Sequence, residues 1–183
     1  MSIEKNGVMT VAELMAVSAR TAPKSKGSDV ISVIIASGEE LNTLAESMKE
    51  FGEKHNLSFF IRDAGNIEQS DCCVIIGAKR DGSLGLNCGG CGFLTCRDML
   101  DAQTGVSCGK NPAFEGPNCI IRQADLGIAV GSAVKTASIH NVDNRVMFSA
   151  GVGALKLGWL GSCTVAYAIP LSASGKSIFF DRT

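Results

Sequence analysis

Five of the eight cysteines fall between residues 88 and 119, and three share one short segment, Cys88-Gly89-Gly90-Cys91-Gly92-Phe93-Leu94-Thr95-Cys96. A cubane iron–sulfur cluster needs four thiolates arriving from four directions. A C-x2-C turn supplies two from one tight loop, and a third cysteine five positions on wraps the chain around the metal. Gly89, Gly90 and Gly92 have no side chains, so the backbone can approach the cluster and aim N–H groups at its sulfurs. Cys88, Cys91 and Cys96 are therefore read as ligands of a [4Fe–4S] cluster. The fourth must come from a separate segment, and the candidates are Cys119 and Cys108. Cys119 is preferred, because Gly116-Pro117-Asn118 is a rigid turn that presents it just before a helix.

Other chemistries fit this spacing less well. Structural zinc favours two C-x2-4-C knuckles, and a second one is missing. Disulfides need an oxidising compartment. A catalytic thiol pair at Cys88 and Cys91 leaves the later cysteines idle. Cys72 and Cys73 lie in an apolar strand, where adjacent residues face opposite sides, and read as core, as does Cys163.

Arg20 to Gly27 holds three cations, two hydroxyls and a glycine. It reads either as a phosphate-coordinating loop or as a solvated basic loop. Asn141-Val142-Asp143-Asn144-Arg145 reads as a helix–helix turn capped by Asp143 or Asn144; beside a ligand, Asn144 and Arg145 become contacts. His55 and His140 are read as surface or capping groups at helix ends, and Asp181-Arg182 as a terminal ion pair. No Ser/His/Asp set, paired carboxylates or metal-activated water site can be assigned, so the catalytic residues are unknown and enzymatic activity is left open.

The elements that position these residues follow from periodicity. Residues 9–20 form a helix with Val11, Leu14, Met15 and Ala19 on one face, stopped before Pro23. A strand over Val30–Ile35 follows. Ser37-Gly38-Glu39-Glu40 has the form of a capping box and opens a helix to about His55. Strands are expected over Leu57–Arg62 and Cys72–Ile76, separated by a turn at Gly65-Asn66. Residues 79–119 read as a cluster-binding loop. Asp125 is expected to cap a helix to His140, residues 144–157 form another helix, and Thr164–Ile169 is a buried strand ended by Pro170. Strands alternating with helices imply an α+β or α/β domain with a central sheet, spanning 1–183 as one unit.

The chain of 183 residues is 45% hydrophobic with a net charge of −1. That composition supports a real core and, with no basic stripe, makes nucleic acid an unexpected partner. There is no signal-peptide pattern and no apolar run of membrane-spanning length. Eight cysteines in that context point to metal or redox chemistry in the cytoplasm.

Asn87-Cys88-Gly89-Gly90-Cys91-Gly92-Phe93, Gly116-Pro117-Asn118-Cys119, Asp125-Leu126-Gly127-Ile128-Ala129, Asn141 to Arg145 and Ile169 to Lys176 resemble the uncharacterised ferredoxin-domain proteins of bacteria and archaea (DUF2148). The resemblance implies Cys119 as fourth ligand, with Cys108 an extra of this sequence. A second resemblance lies in the order of elements, with a helix ending in Arg-Thr-Ala-Pro, a later capped helix, an Asp-Leu-Gly-Ile-Ala helix and a final strand leading to Ile-Pro and a basic residue. This is similar to the plan of nitroreductase-like flavoproteins. It implies an α+β nitroreductase-like sheet flanked by helices, a homodimer, and FMN at the subunit interface. Arg20, Thr21, Lys24 and Lys176 are the positions carried over for the FMN phosphate. The usual Gly-rich segment between the C-terminal helices is replaced here by Asn141 to Arg145. Three functions follow: an iron–sulfur redox protein exchanging electrons with a flavin; a non-catalytic iron–sulfur sensor or carrier; or a zinc-stapled structural domain.

Overall fold

A computed structural model describes residues 2–80, 82–105 and 112–180. Cys108, Asp181 and Arg182 lie outside the described residues. The chain runs through helix α1 (Ile3–Thr21), a 3-10 turn (Ser25–Gly27), strand β1 (Ile31–Ser37), helices α2 (Glu39–His55) and α3 (Ser58–Glu68), strand β2 (Cys72–Lys79), helices α4 (Cys96–Gly105) and α5 (Ile120–Ile139), strand β3 (Asp143–Asn144), helix α6 (Phe148–Lys156) and strand β4 (Cys163–Ser172).

The strands form one antiparallel sheet in the order β1-β2-β4-β3. Strand β2 is buried along Cys72 to Ala78, which is why it reads as an unbroken apolar run. Alternation splits its side chains between two cores. Cys72, Val74, Ile76 and Ala78 pack with α1 and α5, whereas Cys73 and Ile75 pack with α2, α3 and α6. Burial pushes the Cys72 thiol up to about 12, with the Asp71 carboxylate adding to it. Burial also raises Cys73 strongly. Both thiols are inert core groups.

Several expectations needed correction. Residues 57–62 are not a strand: Phe60, Asp63, Ala64 and Ile67 are buried at helical spacing on α3. The aromatic run mimics a strand, but α2 offers a close seat. A Cβ at Gly52 would lie 2.7 Å from Phe60 Cβ, so only glycine there lets the two helices approach. Helix α2 ends in a left-handed residue, Asn56. At its start the N-cap is Gly38, without a side-chain cap, although Glu40 does reach back to accept from the Ser37 N–H at 2.9 Å. Helix α1 begins earlier than expected because Ser2 accepts from the Lys5 N–H as N-cap.

Asp125 is not a cap; α5 starts five residues earlier, after Cys119. The 79–119 stretch contains a helix, α4. Residues 143–144 are an edge strand, and α6 starts only at Phe148, leaving Val146 exposed. Pro170 does not end β4, which continues to Ser172. Ala168 exchanges both backbone bonds with Met147. Alternation then turns the Pro170 nitrogen the same way, into the gap between that bridge and the Asp143–Asn144 pairing.

Candidate metal centre

The first three cysteines are presented by a loop folded back on itself. The Asn87 N–H donates to Cys96 Sγ at 3.4 Å, and the Cys96 N–H donates to Asn87 Oδ1 at 2.8 Å. These reciprocal bonds close residues 87 to 96 into a ring holding Cys88 and Cys91. Asn87 has a positive φ of 48°, which asparagine tolerates better than most residues. The ring is exposed at Cys88 and half-buried at Cys91 and Cys96.

Cys96 opens helix α4. Thr95 Oγ1 accepts from the Asp98 N–H at 3.1 Å, and Asp98 Oδ2 accepts from the Thr95 N–H at 3.2 Å, a reciprocal cap. The Thr-x-x-Asp spelling of this cap was readable in the sequence and would have announced the helix. The Asn87 N–H and then the Ser83 hydroxyl hold the Cys96 thiol below its ordinary value, with the Leu86 and Gly85 N–H groups assisting. A helix N-terminus adds to the preference for thiolate.

Cys119 is buried at the N-cap of α5. The turn before it is pinned from two sides. Gln103 of α4 donates to the Pro117 carbonyl at 2.8 Å, and the Thr164 hydroxyl of β4 donates to Asn118 Oδ1 at 2.8 Å. The cysteine ring packs beside it. A Cβ at Gly90 would meet Ile120 Cγ2 at 2.6 Å and Cys88 Sγ at 3.8 Å. The loop therefore touches the residue next to Cys119.

Among the described residues, no three His, Cys, Asp or Glu side chains are gathered closely enough to hold a metal ion. The donor set nonetheless suits a sulfur-bridged cluster. It has thiols on one exposed ring, a further thiol on the adjoining helix start, glycines at the contact, and N–H groups directed at a sulfur.

Beneath this face lies a buried polar network that sequence reasoning missed, having read Asp125 as a cap. Asp125 Oδ1 accepts from both the N–H and the hydroxyl of Ser25 at 2.9 Å. Arg122 Nη1 donates to Asp125 Oδ2 at 3.2 Å and to the Ser28 carbonyl at 2.9 Å. Lys26 Nζ donates to the Leu84 carbonyl at 2.8 Å, joining residues 25–28 to the chain entering the cysteine ring. The signal available was an Arg-x-x-Asp spacing inside an otherwise apolar helix.

The residues expected at a flavin phosphate fall in two groups. Arg20 Nη1 donates to Asp29 Oδ2 at 2.5 Å and to the Ile31 carbonyl. Burial raises the Asp29 carboxyl, but the hydrogen bonds from Arg20 and the Ile31 N–H outweigh it and hold the group below its usual value. Thr21 donates to Val17, and Lys24 Nζ to the Ala19 and Arg20 carbonyls at the end of α1. These residues sit where β1 begins, at the Ile31–Ala78–Val165 end of the sheet. Asn144 pairs with Leu171 at the other end, where Cys72 lies opposite, and its amide donates to the Val142 carbonyl. Arg145 donates to the Phe179 carbonyl and stands 5.9 Å from the Phe180 ring. Lys176 follows β4 just beyond that end. Six residue-to-residue steps of strand lead from Val165 to Leu171, about 20 Å at 3.3 Å per step. One chain does not bring the two groups together. His55 stacks on Phe51 at 4.2 Å, and His140 caps α5.

Fold and site define an α+β domain of the nitroreductase-like type with a cysteine-rich segment before its long helix α5. Nitroreductase A from Vibrio parahaemolyticus has this fold, with a TM-score of 0.54 and 11% identity over 92% of this chain. The chain spans only 59% of that protein's length. A nitroreductase with bound FMN from Desulfitobacterium hafniense matches with a TM-score of 0.57 and 14% identity, covering 91% of this chain and 78% of that one.

The chain belongs to the family of uncharacterised proteins containing a ferredoxin domain, DUF2148, whose model matches residues 115–182. An uncharacterised protein of Archaeoglobus fulgidus is 44% identical over 179 residues, 98% of this chain and 94% of that one. The family's description names a ferredoxin domain, and the structural likeness is one of fold. No helix among the described residues is long and apolar enough to cross a membrane.

Proposed function

We propose that this protein is an iron–sulfur redox protein that binds one [4Fe–4S] cluster through Cys88, Cys91, Cys96 and Cys119 and exchanges single electrons with a flavin. The observation that carries it is the packing of the glycine-bearing ring, at Gly90, onto Ile120 beside Cys119. Residues 79–119 are then the cluster-binding part of a single domain covering 1–183. Such a cluster supplies one-electron transfer, and a flavin pairs one- and two-electron steps. The chain's own part is to deliver four thiolates, to aim the N–H groups of residues 85–87 at the Cys96 sulfur, and to fix the Cys119 turn through Gln103 and Thr164.

FMN enters this reading because a protein of the same fold carries it. The Arg20, Thr21 and Lys24 group and the Asn144, Arg145 and Lys176 group lie at opposite ends of one sheet. A flavin touching both is therefore held between two copies of the chain, as a homodimer. A phosphate at Arg20 and Lys24 must exchange with Asp29 and the α1 carbonyls.

The test is oxygen-free purification and reconstitution, with absorbance, iron, sulfide, zinc and flavin measured on one sample. About four iron and four sulfide per chain are expected, with flavin retained by a dimer. Colourless protein with stoichiometric zinc or no metal would end the cluster reading. Cluster without any bound flavin would leave a sensor or carrier.

A further inference from the structure

Arg122 is 5% exposed, and its Nε is a buried donor with no acceptor among the described residues. Buried donors are nearly always satisfied, and a guanidinium carries five. Its Nη1 is heavily used, donating to the Ser25 and Ser28 carbonyls and to Asp125 Oδ2. Asp125 is in turn occupied by Ser25. An ordinary structural ion pair explains Nη1 and leaves Nε unexplained.

Arg122 lies beside the Cys119 corner, although Cys119 Sγ itself accepts nothing from Nε. Arg122 stands three residues after Cys119, on the same face of α5. Long helical side chains lean over the turn N-terminal to their own Cα, here the turn that carries Cys119. The cysteine ring packs against that same turn at Ile120.

Resting on the cluster reading above, we propose that Arg122 is a potential-setting residue of the metal centre: its buried Nε–H serves an inorganic sulfide of the cluster at the Cys119 corner, and its charge favours the reduced cluster. A cluster with four thiolates is anionic and gains a further negative charge on reduction. A fixed cation in dry surroundings stabilises the reduced form more than the oxidised one, because low dielectric strengthens the attraction. Asp125, Ser25 and Ser28 hold the guanidinium in place; Asp125, about one turn further from the ligand than Arg122, is the weaker influence.

The test is a redox titration, followed by electron paramagnetic resonance, of anaerobically reconstituted protein with iron and sulfide counted. Arg122→Gln combined with Asp125→Asn removes both charges, so no buried ion is stranded. The expected result is full iron content and at least a tenfold fall in the reduced-to-oxidised ratio at fixed potential, about 59 mV for one electron. Full iron content with an unchanged midpoint overturns the proposal. Should the double variant not fold, Arg122→Lys decides. It keeps the charge but has no Nε–H, so a smaller fall is expected, and an unchanged midpoint refutes the role. Wild-type protein that takes up neither iron nor sulfide removes the cluster reading itself, a result distinct from a loaded variant with an unshifted potential.

Discussion

Replacing Gly90 with alanine tests whether the cysteine ring depends on its contact with α5. The added Cβ would stand 2.6 Å from Ile120 Cγ2, about 1 Å inside an ordinary carbon–carbon contact. Overpacking of this kind costs about 1–3 kcal/mol where neighbours cannot move. Ile120 is 48% exposed and can swing aside, which places the cost near the lower end, about 1 kcal/mol. If the ring must seat on α5 to hold the cluster, that cost appears as weaker retention, roughly fivefold. The assay is iron release to a chelator from anaerobically loaded protein, with the thermal transition of metal-free protein as control. Gly90→Ala should release iron several-fold faster with little change in the metal-free transition. Adding Ile120→Ala opens the space and should restore most of the retention. Unchanged release in Gly90→Ala, or no rescue by Ile120→Ala, would refute the argument that this packing joins the two ligand segments.

Other perturbations test separate parts of the structure. Cys119→Ser should lose the cluster while Cys108→Ser keeps it, read as iron and sulfide per chain; the opposite pattern makes Cys108 the fourth ligand. Gly151→Ala places a Cβ 2.1 Å from the Ala166 carbonyl oxygen, backbone that cannot yield, and should cost 3 kcal/mol or more (about the upper end for overpacking) in denaturant unfolding. Ser149→Ala removes the hydroxyl that donates to buried Asp63 at 2.6 Å and should cost about 1–3 kcal/mol; a loss under about 0.5 kcal/mol would show that Arg62 alone satisfies the carboxylate. Asp29 has a folded value below its unfolded 3.8, so its contribution is present above that pH and is lost as pH falls through the depressed value. Asp29→Asn should therefore flatten the acid limb of the stability profile below about pH 4, and an unaltered limb would show that the Arg20 contact has no thermodynamic weight.

Chemistry carried by local spacing was legible in the sequence. The Cys88, Cys91 and Cys96 run with its glycines stands out as a cysteine-rich segment whatever the fold, because its spacing is a property of the chain alone. The burial of Cys72 and Cys73 on opposite faces followed from strand alternation, and the start of α2 from the Ser37-x-x-Glu40 spacing, of which only the Glu40 half is made. The order of elements sufficed to suggest the nitroreductase-like plan.

What the sequence could not carry was set by partners distant along the chain. Leu57 to Arg62 has the composition of a strand, and it becomes helical because Gly52 lets Phe60 seat on α2. Pro170 lies within β4 because its missing N–H faces a gap in the β3 pairing. Asp125 looks like a cap until Ser25, a hundred residues earlier, fills its carboxylate, and Arg122 keeps a buried donor with no acceptor among the described residues. The separation of Arg20 from Lys176 is likewise a property of strand register. Local spacing fixes which groups are available, but only tertiary packing decides which ones meet, since burial and hydrogen bonding are settled between segments that sequence proximity does not relate.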